Sequence, residues 1–67
     1  MFEQKLIEGM EKAGYGIDAT LKLLGISRTA YYRKRKGITQ FTIKEVAILL
    51  KVLPVEYQNI FFEPKVS

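Results

Sequence analysis

Cysteine and histidine are both absent from this 67-residue chain. The first absence excludes a disulfide framework and any thiolate zinc site; the second removes the commonest general base and the commonest metal ligand. With only 67 residues, the chain forms one domain near the lower size limit for folding without staples. Stability must therefore come from apolar packing, which the 48% of hydrophobic residues allows. Long apolar runs are lacking as well. The longest, Val46–Leu50, is far too short to span a bilayer. No charged segment followed by an apolar one opens the chain, so no signal peptide is expected. The expected location is the cytoplasm of a bacterial or phage-infected cell.

A net charge of +4 is modest, but acid is missing from one stretch altogether. Between Ala19 and Lys44 stand seven basic residues (Lys22, Arg28, Arg33, Lys34, Arg35, Lys36 and Lys44) and no aspartate or glutamate. All seven acids lie outside: Glu3, Glu8, Glu11 and Asp18 before, Glu45, Glu56 and Glu63 after. That polarity is the footprint of a phosphate-binding face, although a solvated helix surface produces the same pattern.

Periodicity predicts an all-α protein of about five short helices, with residues 1–62 as the domain and 63–67 as a tail. Phe2, Leu6 and Met10 recur every four residues with Ile7 beside them, predicting a first helix over Phe2–Ala13. Gly14-Tyr15-Gly16 breaks it. A second helix is expected over Ile17–Leu24, with Leu21, Leu24 and Ile17 as core candidates and Asp18 favoured in its first turn. Gly25 ends it, Ser27 offers an N-cap, and Arg28–Lys36 follows as a third helix closed by Gly37. Two short helices separated by three residues that include glycine have the form of a helix-turn-helix. Ile38–Phe41 reads as a loop. Thr42-Ile43-Lys44-Glu45 has capping-box spacing, opening a fourth helix to Val52 with Ile43, Val46, Ala47 and Leu50 as its inward stripe. Leu53-Pro54 marks a stop, and Val55–Phe62 a last short helix.

The run Leu24-Gly25-Ile26-Ser27-Arg28, then Tyr32-Arg33-Lys34 with Gly37 after it, resembles the turn and recognition helix of the lambda-repressor-like superfamily of helix-turn-helix regulators. Phe41-Thr42-Ile43-Lys44-Glu45, Leu53 and Ile60-Phe61-Phe62 resemble the later helices of its small phage and Gram-positive members. The resemblance covers about residues 1–62. It implies a small phage or prophage regulator, repressor or Cro-like, that binds a double-stranded DNA operator as a homodimer without a cofactor. Two positions depart from the pattern. Leu21 stands four before the turn glycine, where members carry a small residue, which implies wider helix spacing or a shifted second helix. Arg35 stands where members carry an apolar residue, which implies a charged outer edge.

On the third helix, Arg28, Thr29, Tyr32, Arg33 and Lys36 share one face, and Tyr31 is the inward anchor. The resemblance points to Arg28, Thr29 and Tyr32, with Arg33 one turn on, as base readers. Lys34, Arg35 and Lys36 are expected to meet phosphates, which position a protein without reading sequence. Ser27 caps the helix and is a further phosphate donor; Thr39, Gln40 and Thr42 at the start of the fourth helix are weaker ones. So small a domain has difficulty enclosing Ile48, Leu49, Val52, Tyr57, Phe61 and Phe62 together. These residues are the expected dimer interface, which would set two recognition helices on half-sites ~34 Å apart. A second reading is a protein-interaction module that binds another regulator through Phe61, Phe62 and the apolar side of the fourth helix. An excisionase-like architectural DNA binder is a third. Neither a catalytic constellation nor a metal site is apparent, and no membrane or small-molecule partner is expected.

Overall fold

Five helices follow one another in the computed structural model, which describes residues 2–61. They are α1 (Phe2–Lys12), α2 (Ile17–Leu24), α3 (Arg28–Lys36), α4 (Ile43–Val52) and α5 (Val55–Gln58), the last continued by a 3-10 turn over Asn59–Phe61. Among the described residues all regular structure is helical, so the protein is a small helical bundle. The helix expected to run to Phe62 is thus a single α-turn and a tighter one; Phe62 itself and the 62/63 boundary lie outside the described residues.

Local chemistry sets most of the ends. Ser27 Oγ accepts from the backbone N–H of Ala30 at 3.1 Å, satisfying one of the orphan donors at the start of α3. Gly25 (φ +70°) and Gly37 (φ +83°) hold the left-handed conformation that closes α2 and α3, where a side chain would be strained. At α4 the capping box is complete: Glu45 N donates to Thr42 Oγ1 (3.1 Å) and Thr42 N donates to Glu45 Oε1 (2.9 Å).

The core consists of Leu6 and Met10 from α1, Tyr31 from α3, Leu49 from α4, then Leu53 and Ile60. Tyr31, 2% exposed, is the anchor that holds α3 to it. Phe41 pins the α3–α4 loop from outside, its ring 6.4 Å from Tyr31, 6.3 Å from Phe2 and 6.2 Å from Phe61. Edge and tilted contacts of this kind add about 0.5–1.5 kcal/mol each beyond burial.

Gly9, unfavourable in a helix interior, has its reason in this packing. A Cβ there would lie 2.8 Å from Leu53 Cδ2 and 2.8 Å from Tyr57 Cγ. The missing side chain lets α5 and Leu53 close on α1.

Three expectations about the core need correcting. The α4 stripe is rotated: Glu45 and Leu49 are buried, whereas Ile43 is 90% exposed and Ala47 is exposed too. Two partners impose this phase. Leu53 must reach Gly9, and Glu45 must reach α3, and both lie on the Leu49 side of the helix. In α2 the buried residue is Thr20, 1% exposed, while Ile17 is 38% exposed and Leu21 packs half-buried against the core. Thr20 tolerates burial because its hydroxyl donates to the Gly16 carbonyl at 2.8 Å, just before its own helix. Leu49 is wholly enclosed within the monomer and has no surface to offer a second copy. Its expected partners Val52, Tyr57 and Phe61 are half-buried against the same core, and Ile48 is half-buried on α4.

Candidate nucleic-acid interface

Helix α3 is anchored through Tyr31 and capped at both ends, so its outer face is held rigidly. On that face Ser27, Arg28, Thr29, Tyr32, Arg33 and Lys36 are all exposed, as the helical spacing requires. Tyr32 is 48% exposed, a broad aromatic surface beside the cations. Lys36 lies over its ring at 5.3 Å, one turn along. Thr39, Gln40 and Thr42 are exposed beyond the end of α3. Thr42, however, has committed its backbone N–H to Glu45 in the capping box; its hydroxyl oxygen accepts from Glu45 N and keeps its own proton to donate to a phosphate.

The basic run does not form one continuous cationic surface. Lys34 turns inward, its Nζ 2.6 and 2.7 Å from the two carboxylate oxygens of Glu45, with side chains 14% and 11% exposed. Arg35 also turns inward, 12% exposed, its Nε donating to Glu3 Oε2 at 3.2 Å. Its guanidinium lies over Tyr31 at 5.0 Å and near Tyr32 at 5.8 Å. These two residues were expected to meet phosphates; instead they bind α3 to α4 and to α1. Arg35 therefore belongs to the packed side of the helix, where its long apolar stem takes the place of an apolar residue, and not to a charged outer edge.

The remaining cations differ in freedom. Lys36 is 43% exposed and only loosely paired, 3.7 Å from Glu3 Oε1. Arg28 donates from Nη2 to Asp18 Oδ1 at 2.7 Å, with the two side chains 65% and 82% exposed. Arg33 makes no ion pair among the described residues. Four of the five α3 cations thus face a carboxylate from the first turn of α1, of α2 or of α4. The acid-free window of the sequence is partly neutralised in space by acids from outside it. Carboxylates at helix N-termini are favoured by the backbone dipole, and that placement was the one sign of these pairings in the sequence.

Two side chains here have displaced protonation equilibria. Burial alone would raise the Glu45 carboxyl, but hydrogen bonds from Lys34 and from the backbone of Thr42 outweigh it and hold the group below the usual glutamate range. Burial pushes the Tyr31 phenol up, with Arg35 beside it pulling partly back.

Among the described residues no group of three or more metal-ligating side chains converges, and no helix is long and apolar enough to cross a membrane. What the face offers, on an anchored and capped helix, is a set of exposed polar groups and one aromatic: the Arg28 fork, the Thr29 hydroxyl and methyl, Tyr32, Arg33 and Lys36. The chain matches no protein-family model, no curated protein and no solved structure.

Proposed function

We propose that the protein binds double-stranded DNA, laying α3 in the major groove, and acts as a small phage or prophage-type regulator of the repressor or Cro-like kind. The observation that carries this is the exposed stripe Arg28, Thr29, Tyr32, Arg33 on a helix capped by Ser27 and anchored by buried Tyr31. A major groove admits an α-helix, guanine presents two acceptors to an arginine fork, and a threonine methyl meets the methyl of thymine. Lys36 supplies the phosphate grip together with Arg33. Arg33 was expected among the base readers and is reassigned because it alone of the α3 cations makes no ion pair among the described residues. Lys22 and Lys44 are exposed nearby in sequence. Binding as a homodimer would repeat the site on a second half-site, through half-buried Ile48, Val52, Tyr57 and Phe61 together with Phe62. No cofactor is required.

Selection of bound fragments from a random duplex library tests the reading. Recovery of a palindromic site supports it, and no retention of any duplex at low salt overturns it. Arg28→Ala should relax base preference, while Lys36→Ala should weaken all duplexes alike and flatten the salt dependence.

A second reading has its own support. The outward stripe of α4, Ile43 and Ala47, is apolar at helical spacing, and Phe2, Phe41, Val46 and Phe61 form the apolar part of a separate open groove of about 880 Å³ whose charged part includes Glu3 and Lys36. These surfaces suit a protein-interaction module that docks another regulator and leaves DNA untouched. Absence of duplex binding together with capture of a defined protein partner by this face would favour it.

A further inference from the structure

The four ion pairs made by α3 are not alike. Lys34–Glu45 and Arg35–Glu3 are largely enclosed and join helices, whereas Arg28–Asp18 stands open to solvent, 65% and 82% exposed. An exposed pair of this kind contributes little to stability. Its position is nevertheless specific. Asp18 lies in the first turn of α2 and Arg28 is the first residue of α3, so a contact of 2.7 Å closes between the two helix starts.

Resting on the DNA-binding reading above, we infer that Asp18 and Arg28 act as one reading unit that selects a G·C pair beneath the start of α3. Asp18 Oδ1 holds one amino group of the guanidinium, which restricts the rotamers of a long side chain while leaving it 65% exposed. The fork keeps donors for guanine O6 and N7. The second carboxylate oxygen, Oδ2, remains an acceptor for the N4 amino group of cytosine. Donors beside an acceptor are the complement of the major-groove edge of G·C, which presents two acceptors and then a donor. Asp18 is therefore a specificity-determining residue that acts both directly and by positioning Arg28.

The carboxylate has a second consequence. It brings negative charge to a face that approaches phosphates, so it lowers affinity for every duplex while sharpening the choice among them. Those two effects have opposite signs; the first follows from charge alone, whereas the second is the one that a merely structural role would not produce.

The test is fragment selection and duplex titration with the full chain, its Asp18→Asn variant and its Arg28→Lys variant, each accompanied by a thermal melt. The wild-type sites should carry an invariant G·C pair, whose replacement weakens binding by about 5- to 150-fold. Asp18→Asn should remain folded at the temperature of the titration, bind random-sequence duplex more tightly, and lose most of that penalty. Arg28→Lys, which keeps the charge without the fork, should lose the penalty with no gain in random-sequence affinity. Selected sites with no fixed G·C pair, or an unchanged penalty in both variants, overturn the inference while leaving DNA binding standing. Failure of the wild-type chain to retain any duplex removes the proposed function and this inference together.

Discussion

The ammonium of Lys34 lies between both carboxylate oxygens of Glu45, 2.6 Å from Oε1 and 2.7 Å from Oε2, and Oε1 also accepts from the backbone N–H of Thr42. One glutamate thus completes the cap of α4 and binds the far end of α3. Removing one partner of such a pair leaves the other charge enclosed and uncompensated.

Glu45→Ala should destabilise the fold by about 2–4 kcal/mol, toward the lower end for a buried pair because both side chains keep some solvent contact. Lys34→Met should cost less, since Thr42 still bonds the glutamate and the methionine fills the stem's place. Denaturant midpoints of the two single variants and the double variant measure the coupling. Destabilisations that simply add would show that the two residues do not act on each other.

The same carboxyl makes the fold acid-sensitive. Its folded pKa is depressed, so the stabilisation is fully present above the ordinary glutamate value and is lost as pH falls from there through the folded pKa. Unfolding free energy should be nearly insensitive to the titration of Glu45 at neutral pH and should decline below that point. In Glu45→Gln the acid limb should be shallower. Parallel limbs in the two proteins would remove Glu45 as the titrating group.

Salt dependence of duplex binding separates open cations from enclosed ones. Arg33→Ala should reduce the slope of log K against log salt by about 0.9, the increment for each phosphate that a cation neutralises. Lys34→Met, measured well below its Tm, should leave that slope unchanged because its ammonium is already neutralised by Glu45. A slope change for Lys34→Met equal to that of Arg33→Ala would restore Lys34 to the phosphate grip.

Gly9→Ala sets two local effects against each other. Alanine favours the helix by about 1 kcal/mol, but its Cβ would meet Tyr57 Cγ and Leu53 Cδ2 at 2.8 Å. The tyrosine Cγ is not the free end of a flexible chain, so α5 must shift, and overpacking of this kind costs about 1–3 kcal/mol. A lower Tm is expected. A raised one would mean that α5 gives way without penalty.

Much of this protein is legible in its sequence because the responsible interactions are short-range. Ser27 caps a nitrogen three residues on, Thr42 and Glu45 cap each other at the same spacing, and Gly25 and Gly37 take a backbone conformation that other residues avoid. Tyr31 as anchor follows from helical spacing once those ends are known. The face of α4 and the freedom of the cations do not follow in this way. Lys34 meets Glu45 across 11 residues and Arg35 meets Glu3 across 32, so the acid-free window looks uniformly cationic until the chain is folded. An α4 apolar on several sides has no single inward phase written in its own residues; Gly9 and Lys34, on other helices, choose it. Helix ends, and hence the Ser27–Gly37 unit, were determined by sequence alone. Which charges of that unit remain open was decided only by tertiary packing, because a charge is neutralised by whatever the fold brings beside it.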